Sequence, residues 1–331
     1  MTGKLSLKEA FNAAAYRAAF PEKLANLFVT LGTERIFIAP EIADFIAKNP
    51  SLTEKKIEER LDWMKARGSC AAAARDYIGF VPVNHIAMKD LKPGAQERDI
   101  RRQIQDAEHE AGHFIVENGL GASPHLGECA ADAFATLRHI QRFGGMTEDA
   151  AAELAHHAVF ETPPPIHYTS AVVQKIRNMH DGGKIDIRGL SLEKTAALAA
   201  KIAAAYALDD ATLGKISDAF APVNWIVATD KRPLSDSGKL RDIFKTIAEV
   251  MLDNRHDEDI YRAGRLCFEC KKTKDMIAAK LPHDAVLYNL RRKMAQHEEE
   301  TGFILDPALA VDKKRAAGKA PPAPKPERNA P

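Results

Sequence analysis

Two histidines set one helical turn apart, on a helix whose other side is apolar, constrain this chain more than any other feature. Ile100, Ile104, Ala107, Ala111, Phe114 and Ile115 recur at helical spacing around the run His109-Glu110-Ala111-Gly112-His113, which predicts an amphipathic helix from about Gln96 to Asn118. On that helix His109 and His113 stack with their Cβ atoms roughly 5–6 Å apart, on a face turned away from the apolar stripe. Two imidazoles so placed can reach a single tetrahedral ion, which is what a zinc site requires. Glu110 falls to one side of the pair. There it can act as a general base on water without becoming a ligand.

A third donor is expected just downstream. The Gly-rich segment Gly119-Leu120-Gly121-Ala122-Ser123-Pro124 ends the first helix and lets the chain double back. A second helix is predicted from near Glu128 to Arg142, with Glu128, Asp132, Ala135 and His139 on one stripe and Phe134, Leu137 and Ile140 on another. Glu128 is then placed as the third ligand. Asp132, one turn later, can accept the outward N–H of a ligating histidine and so set its tautomer.

His109-Glu-x-x-His113 followed by Glu128-Cys-Ala-Ala-Asp132 resembles the gluzincin group of zinc metallopeptidases, whose pattern is HExxH and then ExxxD on a following helix. The resemblance is confined to the stretch between Glu108 and Phe143. It implies a zincin-like catalytic domain that hydrolyses peptide or protein substrates with Zn²⁺ as cofactor. Position by position it implies His109, His113 and Glu128 as ligands, Glu110 as catalytic base and Asp132 as orienting residue. Gluzincins commonly draw an oxyanion donor from a downstream Tyr or His. Here the proline-stiffened segment Glu161–Ser170 presents His167 and Tyr168 for that role, and Thr169 or Ser170 is placed to cap the helix that follows. The interval from His113 to Glu128 is shorter than in the best-known gluzincins, so Glu117 and His125 stay open as third donors. The competing expectation is a helical regulatory or interaction protein with a structural or sensory zinc, closed by a fourth ligand such as His125 or His139.

Composition narrows the partners. Lys and Arg number 47 against 46 Asp and Glu, a net charge of +1, so no global field recommends nucleic acid or an acidic membrane. The N-terminus is charged where a secretory signal would be apolar, and no run approaches the ~18 apolar residues of a membrane span. Cys70, Cys129, Cys267 and Cys270 are too few and scattered for a disulfide framework. A soluble, cytoplasmic enzyme is expected, its oligomeric state open. Cys267-x-x-Cys270 reads as coincidence, and of the adjacent His156 and His157 at most one can serve a given site.

With 331 residues and 45 % hydrophobic content, the chain can bury a large core. The expected class is mainly α with a small β-sheet (α+β). Residues 1–70 form an N-terminal helical segment and 71–185 the zincin-like core. Residues 186–300 form a C-terminal helical region, and 301–331 a largely disordered Pro/Ala-rich basic tail. Within this scheme 6–31, 41–47 and 53–67 read as helical, Glu34–Ala39 and Tyr77–Met88 as strands, and Pro222-Val223-Asn224 as a turn before Trp225.

Overall fold

The computed structural model describes residues 13–20, 27–31, 34–37, 79–83, 93–116, 123–145, 150–161 and 165–305, with 55 and 59 as isolated helical positions. The predicted helices over 41–47 and most of 53–67, together with His85, Glu117, Cys70 and the tail beyond 305, lie outside the described residues. The described residues begin with α1 (Ala13–Ala19) and three short strands, β1 (Leu27–Leu31), β2 (Glu34–Phe37) and β3 (Gly79–Val83). These pair through the backbone in the order β2-β1-β3, β1 antiparallel to β2 and parallel to β3. The remaining elements among the described residues are helices: α2 (Pro93–Ile115), α3 (Pro124–Phe143), α4 (Ala150–Phe160), α5 (Ser170–Asp181), α6 (Leu192–Tyr206), α7 (Asp210–Thr229), α8 (Ser237–Asp253), α9 (Glu258–Glu269), α10 (Lys271–Lys280) and α11 (Ala285–Thr301).

The expected α+β, zincin-like class is corrected: apart from these three short strands the described chain is helical, and its class is all-α. The two larger hydrophobic cores among the described residues are made by helix packing on helix. The first gathers Tyr16 of α1, Ala111 and Ile115 of α2, Ala130, Phe134 and Leu137 of α3, Val172 and Ile176 of α5, and Ala199 and Ala203 of α6. The second gathers Val159 of α4, Phe220 and Val223 of α7, Phe244 and Met251 of α8, Tyr261 and Phe268 of α9, and Met294 of α11. Alanines 111, 130, 133, 196, 199 and 203 in the first core let its helices approach closely where they meet. The cores do not divide at residue 185: Ala196–Ala203 join the first and Ala155–Tyr168 the second.

Several boundaries depart from expectation for identifiable reasons. Leu27–Leu31, read as the end of a helix, is a strand, as its Phe-Val-Thr run favours. Pro222 does not end a helix but lies inside α7. Its cost there, ~3 kcal/mol in an isolated helix, is offset by burial of Ile216, Phe220 and Val223 on the same face. Helix α3 starts at Pro124, with Pro in the first turn after an extended Ser123, the position where a missing N–H costs nothing. Glu128 therefore sits one turn into the helix. At the far end Gly144 takes φ +78° and its N–H reaches the Ile140 carbonyl at 2.8 Å, a left-handed cap suited to glycine. No described helix is long and apolar enough to cross a membrane.

A buried ion cluster around Glu108, the residue before His109, ties α1, α2 and α3 together. Glu108 is fully buried. Its Oε1 accepts from Tyr16 Oη at 2.9 Å and lies 2.8 Å from Arg142 Nη2 and 3.4 Å from Arg138 Nε. The Tyr16 hydroxyl in turn accepts from Arg138 Nε at 3.3 Å. Burial pushes the Glu108 carboxyl upward while the two guanidinium groups and the phenol draw it back.

Candidate metal centre

Helices α2 and α3 bring three donor atoms to one point. His109 Nε2 and His113 Nε2 are 3.1 Å apart. Glu128 Oε2 lies 3.3 Å from the first and 3.5 Å from the second. Bonds of ~2.0–2.1 Å in a tetrahedron place ligand atoms about 3.3 Å from each other, so the three separations are those of three corners around a zinc-sized ion. Glu128 Oε2 is buried and has no hydrogen-bond partner among the described residues. Two ring nitrogens facing each other and an unbonded carboxylate oxygen have a common solution in a cation. The donor set, two imidazoles and one carboxylate, is of the type that holds catalytic zinc. The residues therefore fit the ion that the motif implies.

The next layer orients the first. His109 Nδ1 is 2.7 Å from Asp132 Oδ1, so the proton belongs on Nδ1 and the Nε2 lone pair is directed at the donor cluster. The other Asp132 oxygen accepts from Thr169 Oγ1. Thr169 had been expected to cap α5; it does occupy the cap position, but its side chain makes no capping bond because the hydroxyl is given to Asp132. Sequence reading missed this role, for which a threonine before a helix offers no distinguishing signal.

Electrostatics favour positive charge here. Burial opposes an imidazolium at His109, but the charge and hydrogen bond of Asp132, with Glu128 and Glu110, outweigh it and raise its pKa well above the ordinary value. Burial likewise opposes the anions of Glu128 and Asp132, yet the neighbouring histidines hold Glu128 far below the usual carboxylate range. For Asp132, His109 and the Thr169 hydroxyl do the same. Glu110 behaves oppositely: burial, only partly countered by His109 and His113, raises it above the ordinary carboxylate value. That is the direction a general base needs to work near neutrality.

Gly112, inside the histidine motif, sets the distance between the two helices. A Cβ placed there would lie 2.8 Å from Ala131 Cα and 3.1 Å from its carbonyl oxygen. Both are backbone atoms that can yield only if the helices part. Gly112→Ala is expected to destabilise the fold by about 1–3 kcal/mol, the cost of an overpacked core. It should also weaken zinc binding by at least about tenfold, the scale seen when a ligand's support is disturbed. Urea unfolding and zinc titration of the variant check both; wild-type values would show that this contact does not hold the donors in place.

The other sequence candidates separate. His125 is turned away, its Nδ1 2.7 Å from the Ile166 carbonyl and its Nε2 3.3 Å from Cys129 Sγ. His139 is buried against Phe143, and burial beside Arg101 and Arg142 pushes its pKa down to about 4. Neither joins the donor group, which among the described residues consists of His109, His113 and Glu128 alone. Tyr168 is 3 % exposed and packs in the second core, so it does not face the cluster as an oxyanion donor. His167 does lie beside it, with Nε2 3.7 Å from Glu128 Oε1 and its side chain 45 % exposed. Its Nδ1 is held by Glu161 Oε1, a carboxylate to which sequence reading gave no role. His156 bonds Thr273 Oγ1 at 3.1 Å while His157 faces Glu161; the two adjacent rings serve different surroundings. Cys267 and Cys270 are buried and belong to no metal-binding group among the described residues.

No family model, no curated protein and no solved structure matches the chain.

Proposed function

We propose that the protein is a zinc-dependent metallopeptidase acting on peptide or protein substrates. The observation that carries this reading is the convergence of His109 Nε2, His113 Nε2 and Glu128 Oε2 at 3.1–3.5 Å, with no fourth protein donor in the group among the described residues. A structural zinc would be closed by a fourth side chain, whereas a hydrolytic one keeps a position open. Bound by these three residues, zinc supplies Lewis acidity that makes water a nucleophile near neutral pH and polarises a carbonyl.

The chain's own groups do the rest. Asp132, braced by Thr169, holds His109 in one tautomer. Glu110 takes the proton from the attacking water and returns it to the leaving amine, its raised pKa bringing donor and acceptor strengths closer. His167, anchored by Glu161, is placed on the open side to steady the developing negative oxygen. Four cysteines scattered over 331 residues accord with a reducing compartment, and we assign the enzyme to the cytoplasm.

Metal removal tests the reading. Cleavage of a diverse peptide library by the full chain should stop after chelation and return when Zn²⁺ is restored. Undiminished cleavage by metal-free protein would end the proposal, and zinc retention with no cleavage of any library member would favour a structural or sensory site.

A further inference from the structure

A second cluster of metal-ligand type lies beside the first and takes no part in binding the proposed zinc. His157 is on the last turn of α4. Glu161 follows one turn later, its N–H still bonded to the His157 carbonyl at 3.2 Å. Six residues further on, His167 closes on Glu161. The Glu161 Oε2 accepts from the His167 backbone N–H at 3.2 Å and lies 3.8 Å from His157 Nδ1; Oε1 contacts His167 Nδ1. The two imidazole rings are 5.4 Å apart, centroid to centroid. One donor atom from each of the three residues fits within 4.8 Å of the others.

We propose that His157, Glu161 and His167 form a second divalent-cation site, coupled to the first through the His167 ring, whose Nε2 faces Glu128 Oε1 at 3.7 Å. The donor set, two imidazole nitrogens and a carboxylate, selects zinc or a neighbouring late first-row ion over magnesium or calcium, which take oxygen ligands. The coupling follows from the chemistry of imidazole. A cation on Nδ1 leaves the ring proton on Nε2, where it points at the Glu128 oxygen that the first site does not use. Occupation of the second site thus makes His167 a hydrogen-bond donor to a ligand of the first and fixes the ring that faces the open side of the cluster. Side-chain exposures of 43 % for His157 and 45 % for His167 make this the more open of the two sites. It is therefore the weaker and the first to be lost on dialysis.

The inference needs Glu128 only for the coupling; the second site stands on its own residues, and the experiment separates the two. Metal-free full chain is titrated with Zn²⁺ by calorimetry, and bound metal is counted by mass spectrometry after dialysis, alongside His109→Ala, His157→Ala and Glu161→Gln. Wild type should take up two ions in a tight and a weaker step. His157→Ala and Glu161→Gln should lose only the weaker step, and His109→Ala only the tight one. The half-exposed position of His157 lets its variant fold, which a thermal melt verifies. One ion in wild type that persists in His157→Ala and vanishes in His109→Ala overturns the second site and leaves the first intact. One ion with the opposite dependence removes the first site and keeps the second.

Discussion

Glu110→Gln is expected to lower peptide cleavage by roughly 10²–10⁴-fold, the contribution of a positioned general base, while zinc content stays at the wild-type level. The amide has the size and shape of the carboxylate but cannot take a proton from water. Glu110 is not one of the three donors that converge on the metal position, so its loss leaves them undisturbed. Its half-buried carboxyl feels both imidazoles and Glu128, which puts it beside the cluster without making it a member. Matched metal analysis and kcat/KM on the same preparation decide the matter. Full activity with zinc bound would mean that another group moves the proton; loss of zinc together with activity would mean that Glu110 supports the ligands instead.

Glu108→Ala should be the most damaging single change to stability, by about 3–5 kcal/mol, the range for breaking a buried ion pair from one side. The substitution leaves Arg142 and Arg138 without their common carboxylate and the Tyr16 hydroxyl without its acceptor, all in a place where Glu108 itself has no exposure. Because the cluster joins α1, α2 and α3, the variant should unfold at lower urea with an unchanged slope. Glu108→Gln, which can still accept from Tyr16, should lose less. A loss below about 1 kcal/mol for the alanine variant would place Glu108 among pairs that merely break even.

What the chain revealed before its structure was known divides along physical lines. Local periodicity carried the helix of the histidine motif, and with it the pair His109 and His113; the four-residue spacing is a property of one element. Glu128 and Asp132 were also legible, because a Gly-rich turn followed by an amphipathic run leaves few ways to fold back. The start of α3 was misplaced because Pro124 was read as part of the turn and not as a first helical residue. Glu161, Glu108 and the bond from Thr169 to Asp132 went unread for a different reason. Each acts through a partner far along the chain or across a loop, and an isolated Glu or Thr carries no periodic mark. Tyr168 shows the limit from the other side: it adjoins His167 in sequence, yet the two side chains part, one into the second core and one towards Glu128. The α+β expectation gave short strands the weight of a layer, whereas every side chain in the two described cores comes from helices or the turns between them.

The close approach of Gly112 to Ala131 has a consequence for energetics as well as shape. In small zinc-dependent modules the ion draws the ligands together, and its affinity is spent on folding the chain. Here the spacing of the two helices is dictated by backbone meeting backbone and by the Glu108 ion cluster. An ion bound by donors already assembled in this way, as proposed, would spend little of its affinity on ordering the chain, in contrast to those modules.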